Sequence, residues 1–418
     1  MKHVNREVHS AYVHIKTLES VSQALQFLKN DAGDTLKEQI ALAEIPAPPF
    51  TEDKRATVYQ EWLHSLGLEN VKRDTEGNVY GIRKGKGSGP ILFVSAHIDS
   101  VFSADVDTTV TEKKGVYYGP GITDDARGLA ALLSIVRAFQ ETGIQTVGDI
   151  IFGGTVGEEG PGNLRGVKAF FQENKDVDGF ISIDAVSPSD IVYKGTGSYR
   201  YQVTYEGPGG HSFGAFGTPS AVHAAARATT EIADLQTEEN PRTTFNVGVI
   251  EGGTIPTAIA ETCQLGVDIR SNGEAELEKL EEKIYRTLAR AAKVENERWG
   301  YTEADGITYR IEKVGNRPVG MQAEDDIVVQ TALEATKALS LKPRLSEAVS
   351  TDANYPISIG IPALTLGGGG EAGAAHSLDE WYHPHNSYLG PQRILLTILG
   401  LVGIYDEVEE IRPLLKRQ

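Results

Sequence analysis

The stretch Ile91-Leu-Phe-Val-Ser-Ala-His97-Ile-Asp99 decides the fold. Residues 91–96 make an apolar run of strand length, and a histidine follows at once. A run of this kind suits a strand covered on both faces, as in a parallel sheet. Two further segments repeat the plan: Ile150 to Val156 leads into Glu158-Glu159, and Phe180 to Ile183 leads into Asp184. Helical patterns lie between and before them. Leu129, Leu132, Leu133 and Val136 fall on one helical face with Gly143 beyond its end. Asp34 to Ile45 and Glu52 to Leu66 also read as helices, the second ending at Gly67, where a residue without Cβ suits a left-handed cap. Such alternation predicts an α/β domain with helices on both faces of a largely parallel sheet. Those sheets place their sites just beyond the carboxyl ends of strands. His97, Glu158 and Asp184 would therefore converge on one edge.

Working outward, the rhythm changes between about Gly195 and Gly315. Strand, helix, two strands, helix and strand follow one another over Tyr199 to Tyr205, Ser220 to Leu235, Thr243 to Ile250, Cys263 to Ile269, Glu274 to Arg298 and Ile307 to Val314. That is the order of a ferredoxin-like α+β unit. It is expected as an inserted domain, 195–315, within a discontinuous domain of 1–194 and 316–418. Helix Asp325 to Leu339 and strand Pro362 to Leu366 then resume the first pattern and lead to His376.

Composition bounds the function. A chain of 418 residues with 40% hydrophobic and 23% charged residues is ordinary soluble material, long enough for two domains. Its net charge of −18 and lack of a basic run argue against nucleic acid. Cys263 is the one cysteine, which excludes an intramolecular disulfide and a thiolate zinc cluster. Its apolar strand-like setting predicts a buried structural thiol. Residues 1–30 lack the pattern of a cleaved secretion signal, and the apolar run Ile394 to Tyr405 is too short to span a bilayer. A cytoplasmic protein without a membrane partner is expected.

Five segments end in metal-ligand residue types: His97-x-Asp99, Asp124-Asp125, Glu158-Glu159, Asp184 and His376. Together they supply what two bridged divalent cations need: nitrogen and oxygen donors, a carboxylate to share, and a free carboxylate to handle the proton of an attacking water. Each motif has a plainer reading. His-x-Asp occurs in surface turns, although a carboxylate two residues on can orient a ligand imidazole. Asp124-Asp125 lies in Gly119-Pro-Gly-Ile-Thr-Asp-Asp-Ala-Arg-Gly128, where an aspartate can simply cap a helix. Adjacent glutamates are usually solvated charge, yet Glu158 and Glu159 close a strand between glycines and diverge, so that one can ligate metal while the other faces substrate. The glycines 367–370 before His376 invite a phosphate-loop reading, but the lysine and Ser/Thr of such a loop are absent. His383 and His385 stand close enough to compete for the ligand role.

Taken in order, these segments resemble the two-zinc metallopeptidases and amidohydrolases that include aminoacylase, carboxypeptidase G, succinyl-diaminopimelate desuccinylase and the tripeptide aminopeptidase, metallopeptidase family 20. The resemblance runs from Ile45-Pro-Ala-Pro-Pro and Asp74-Thr-Glu-Gly-Asn-Val to Ser350-Thr-Asp-Ala-Asn354 and Ala375-His-Ser-Leu-Asp-Glu380. It implies that His97 and Asp184 hold one metal and Glu159 and His376 the other, with Asp124 bridging, Asp99 orienting His97 and Glu158 as general base. It implies two divalent ions per chain, Zn2+ first and Co2+ or Mn2+ as alternatives, and short peptides or N-acyl amino acids as substrates. It further implies that the inserted domain is a lid that pairs two chains into a homodimer. His211, in Gly209-Gly-His-Ser-Phe-Gly, would reach the partner's site to stabilise the oxyanion, and Arg270, ending Gly266-Val-Asp-Ile-Arg, would grip a substrate carboxylate. The chain departs from the family pattern at Ala126-Arg127, where lysine and glycine are usual, and at Thr257, 13 residues before Arg270, where a substrate-binding asparagine is expected. The expected activity is hydrolysis of di- or tripeptides. Deacylation of N-acyl amino acids is the near alternative and a non-catalytic binding module the distant one, since no ligand and no base is missing.

Overall fold

A computed structural model describes residues 5–407 and 410–417. The chain divides into two compact units, one of residues 1–195 with 320–418 and one of residues 196–319. The second boundary lies past the expected Gly315 because the last strand of the inserted unit, Thr308–Arg317, runs on to Arg317.

The first unit is built on an eight-stranded sheet. Its order is Glu69–Arg73, Val79–Arg83, Asp149–Thr155, Ile91–His97, Gly179–Ile183, Ala363–Leu366, Asp190–Val192 and Arg344–Leu345. The four neighbours from Asp149–Thr155 to Ala363–Leu366 are mutually parallel. They are also the strands with nearly every residue buried, as parallel strands covered on both faces must be. One face carries Leu92, Val94 and Ala96 against Leu129, Leu132 and Val136 of helix Ala126–Thr142 and against Leu395 and Leu399 of helix Leu389–Val402. The other carries Phe93, Phe180 and Ile151 against Val167, Phe170 and Phe171 of helix Arg165–Glu173. Phe93 stacks on Phe170 with centroids 3.9 Å apart. Two amphipathic helices, Arg6–Ile15 and Glu19–Asn30, precede the expected first helix, which forms over Ala32–Ala43. A small antiparallel sheet pairs Trp381–His383 with Val116–Tyr118 and thereby joins two distant loops. Among the described residues no helix is long and apolar enough to cross a membrane.

The second unit is a four-stranded antiparallel sheet ordered Thr243–Gly252, Thr262–Ser271, Gly197–Glu206 and Thr308–Arg317. Helices Ala221–Ala233 and Glu274–Trp299 cover one face. Tyr201, Val203, Tyr205, Leu265, Val267 and Ile269 alternate inward to meet Ala224, Ala228, Leu280 and Ile284. Cys263 is buried in this core. By the same alternation Arg200, Asp268 and Arg270 stand on the face away from the helices.

Candidate metal centre

Four adjacent parallel strands each deliver a donor from the carboxyl end. His97 is the last residue of Ile91–His97, Glu158 and Glu159 follow Asp149–Thr155, Asp184 follows Gly179–Ile183, and the loop after Ala363–Leu366 leads to His376. In-register pairing of His97 with Thr155 and of Leu366 with Ile183 brings these ends level.

The Asp124-Asp125 pair occupies the fifth corner, and its two carboxylates do different work. Asp125 is the N-cap of helix Ala126–Thr142. Its Oδ1 accepts from the Gly128 amide at 2.9 Å and its Oδ2 from the His97 amide at 3.0 Å. Only a glycine fits at 128, since a Cβ there would stand 2.2 Å from Asp125 Oδ1 and 2.4 Å from the Ile183 carbonyl oxygen. Asp124 instead faces the histidines. Its Oδ1 lies 2.8 Å from His97 Nε2 and its Oδ2 lies 2.8 Å from His376 Nε2. His376 Nε2 is also 3.1 Å from Glu159 Oε1. Donor atoms of His97, Asp124 and Glu159 all fall within 4.8 Å of one another.

Around this cluster a second layer fixes the donors. His97 Nδ1 is 3.0 Å from the Asp99 carbonyl oxygen. A carbonyl can only accept, so Nδ1 carries the proton and Nε2 is turned toward Asp124. The expected Asp99 carboxylate stands farther from that ring, at 3.6 Å, because its oxygens are taken up by the amides of Glu158 at 3.0 Å and Glu159 at 2.8 Å. Asp99 thus links the ring of one donor to the backbone of the glutamate pair. His376 sits on a different kind of support. The loop reaches it through Gly369 (φ 93°), Gly370 (φ 101°) and Ala374 (φ 57°), and His376 itself has φ 63°. A left-handed conformation costs a non-glycine residue about 1–2 kcal/mol, as is found where a site imposes a geometry.

The electrostatics match the donor chemistry. Burial, then the Asp124 charge, pushes the Glu159 carboxyl up to about 8 and that of Asp184 up to about 6. Burial also opposes charge on Asp124 and on His97, but hydrogen bonds prevail: those from His376 and then His97 hold Asp124 below the usual carboxylate range, and that to Asp124 holds His97 well above the usual imidazole range. His376 is raised to about 9, first by its hydrogen bond to Asp124. Carboxylates crowded in a buried site, with two imidazoles among them, are the set a divalent cation relieves of mutual repulsion. His97, Asp124 and Glu159 therefore fit a divalent cation, with His376 against Asp124 and Glu159 and the Asp184 carboxylate near enough to feel the Asp124 charge.

Three side chains at the site carry no role in the sequence reading. Asp352, in the Ser350–Asn354 motif, is buried. Its Oδ2 accepts from Thr155 Oγ1 at 2.6 Å, its Oδ1 has no hydrogen-bond partner among the described residues, and burial followed by the Glu158 charge lifts it to about 7. Glu380 and Arg127, both buried, grip the loops on either side of His376 and Asp124. His383 and His385 stack on each other with centroids 5.9 Å apart, and their recorded hydrogen bonds go to Glu371 and Asn386, not to the cluster.

The remaining expected residues belong to the second unit. His211 pairs with Ala258 in a short antiparallel bridge, and its Nδ1 accepts from the amides of Phe213 and Gly214 at 3.2 Å each. The Ser212 amide donates to the Thr257 carbonyl at 3.0 Å, so the Thr257 segment lies beside His211. Arg270 is half-exposed and its Nε is 2.8 Å from Asp268 Oδ2, an acid that also meets Arg200 Nε at 3.3 Å.

Comparison with known proteins agrees with this geometry. The profile of peptidase family M20/M25/M40 matches residues 93–399. The succinyl-diaminopimelate desuccinylase 2 of Alteromonas mediterranea is 32% identical over 46% of this chain and 56% of its own length, so the chain spans about half of that relative. The N-formyl-4-amino-5-aminomethyl-2-methylpyrimidine deformylase of Halalkalibacterium halodurans is 26% identical over 80% of this chain and 86% of its own. Among solved structures, the aminopeptidase PepT of Bacillus cereus superposes with a TM-score of 0.71 at 22% identity, covering 88% of this chain and 98% of that one. That likeness speaks for the fold.

Proposed function

The chain belongs to peptidase family M20/M25/M40, and on that footing we propose that it hydrolyses the amide bond of di- or tripeptides, with two bridged divalent ions around Asp124 and Glu158 as general base. The observation that carries this reading is the placement of one carboxylate. Asp124 turns Oδ1 to His97 and Oδ2 to His376, each at 2.8 Å, the arrangement of a group shared by two ions. His97 and Asp184 would hold one, Glu159 and His376 the other. The donor set suits Zn2+, and Co2+ or Mn2+ would also fit. When bound, such a pair supplies Lewis acidity and brings the pKa of water from 15.7 toward about 7.

The residues of the chain do the rest. Glu158 accepts the proton of the attacking water and returns it to the leaving nitrogen. Asp99 keeps Glu158 in place by accepting its amide and keeps His97 in the tautomer that leaves Nε2 to ligate. His211 donates to the oxygen on which charge develops, a contribution worth about 10²–10³ in rate for a single donor. In this reading it comes from the partner of a homodimer formed through the second unit. Arg270 binds the substrate's free carboxylate, sharing its guanidinium with Asp268. The protein would work in the cytoplasm on small molecules.

Deacylation is the second reading, favoured by the relatives, a desuccinylase and a deformylase by name. One experiment separates the readings. Metal-reconstituted protein is offered dipeptides, tripeptides and N-acyl amino acids, with bound metal counted on the same sample. Turnover of the peptides at two ions per chain supports peptidase action, and turnover confined to N-acyl compounds transfers the proposal to deacylation. No turnover with fewer than two ions bound would remove both.

A further inference from the structure

Segment 119–127, which carries Asp124, and segment 367–387, which carries His376, are joined by two buried charged side chains. Glu380 is fully buried and reaches into the first segment. Its Oε2 accepts from the Gly121 amide at 2.9 Å, and its Oε1 accepts from the Thr123 amide at 2.8 Å, the Thr123 hydroxyl, and the Asp124 amide at 3.3 Å. Arg127 reaches the opposite way. Its Nε donates to the Gly368 carbonyl at 2.8 Å and its Nη2 to the Ser387 carbonyl at 3.0 Å. Its Nη1 lies 3.5 Å from Gln39 Oε1, and Gln39 Nε2 in turn holds the Ile122 carbonyl at 2.8 Å. The anion thus gathers the amides of the aspartate loop, and the cation gathers the carbonyls of the histidine loop.

We infer that Glu380 and Arg127 are positioning residues for the ion expected between Asp124, Glu159 and His376: they lock the two loops that supply two of its three donors, Asp124 and His376. This inference rests on the two-metal reading. Geometry makes the effect unequal, since Asp124 is shared by both ions but only one of them also needs His376. The His97 side has its own supports, the Asp125 carboxylate on the His97 amide at 3.0 Å and the Asp99 carbonyl on Nδ1 at 3.0 Å, and neither passes through Glu380 or Arg127. Among the described residues the His376 ring is met by Asp124 and Glu159 alone. Its loop bends through Gly369, where a Cβ would stand 2.0 Å from the Ser387 carbonyl oxygen that Arg127 also grips. Glutamine cannot replace Glu380, because it has one acceptor oxygen for donors that approach from two sides, and its NH2 would face an amide N–H.

The test is metal binding, read without activity. Full-length wild type, Glu380→Gln, Arg127→Met and the milder Thr123→Val, which removes only the hydroxyl donor to Glu380, are titrated with Zn2+ by calorimetry, and their melting is followed metal-free. Outer-layer replacements typically cost about 10–100-fold in metal affinity. We expect that loss at one ion for Glu380→Gln and Arg127→Met, a loss of about 3–10-fold for Thr123→Val, and the other ion held within about 3-fold of wild type. Equal weakening of both ions in step with melting temperature would make these residues merely structural, and wild-type binding in all variants would leave the loops fixed by other contacts; either result overturns the inference. Should Glu380→Gln fail to fold, Thr123→Val decides the matter alone by the same split. Wild type that binds no ion would instead sink the metal reading itself.

Discussion

The two histidines of the cluster occupy opposite kinds of ground. His97 ends a central parallel strand, is 1% exposed, and has its amide, its Nδ1 and its Nε2 all engaged. His376 stands on a glycine-rich loop with a left-handed backbone, and its side chain is 55% exposed. Both meet the same carboxylate at 2.8 Å. One half of the centre is therefore part of the core and inherits its rigidity, whereas the other is held in place only by what the loops grip. The difference teaches that equal distances to one carboxylate can conceal unequal preorganisation.

Glu158 precedes Glu159 in the chain and is assigned to neither ligand set in the proposed function. In the proposed mechanism Glu158→Gln removes the proton acceptor while leaving every donor in place, so kcat should fall by about 10²–10⁴ with two ions still bound by elemental analysis. Loss of an ion along with activity would mean that the halves are coupled through this residue, and near-normal turnover with both ions present would end its role as base.

Truncating each histidine sharpens the contrast in stability. His97→Ala opens a buried space and strips Asp124 and the Asp99 carbonyl of a partner, which should destabilise the metal-free protein by about 2–4 kcal/mol. His376→Ala, which removes a half-exposed and solvent-screened ion pair, should cost less, about 0.5–1 kcal/mol. Both should lose ion binding. Chemical denaturation in the presence of chelator measures the difference, and similar losses from the two variants would erase the distinction between core half and loop half.

The same division governs what could be read from the sequence. The His97 half was legible because strands buried on both faces must be apolar along their whole length, so the residue that ends such a run marks a sheet edge. The Glu158-Glu159 pair and Asp184 followed from the same rule, while the choice of Glu159 as the ligand came from family resemblance. His376 had no such marker: nothing periodic leads through residues 367–375, and its ligand role came from family resemblance. Nor could local pattern assign Asp124 and Asp125. That choice depends on Gly128, which lets Asp125 fold back as a cap and leaves Asp124 to face the histidines. Glu380 and Arg127 stayed silent because their partners are backbone atoms more than 200 positions away in sequence, which no spacing rule encodes. Helices Arg6–Ile15 and Glu19–Asn30 were within reach, since Val8, Tyr12 and Ile15, and Val21, Ala24 and Leu28, fall at helical spacing.

Acidity offers the finest comparison. In the metal-free protein Glu159 is raised from 4.5 to about 8 and His376 from 6.5 to about 9. A group whose folded pKa exceeds its unfolded one keeps a proton in the native state that the unfolded chain has released, so stability falls as pH rises across the gap. The Glu159 window runs from 4.5 to about 8 and the His376 window from 6.5 to about 9, with the second effect reduced by solvent screening of a half-exposed ring. A full one-proton difference corresponds to about 1.4 kcal/mol per pH unit, which sets the upper limit of the slope from either group. Melting of chelated protein should therefore decline from about pH 6 to 8.5. Ion affinity should rise over the same range, because ligands bind only when deprotonated. His376→Ala should flatten the decline above about pH 8 and lessen it between about pH 6.5 and 8, where both groups contribute, leaving the part below to Glu159. A chelated protein that grows more stable toward pH 8.5 would contradict the charge arrangement, and a His376→Ala slope unchanged at both ends would assign the exchanging protons to the buried half.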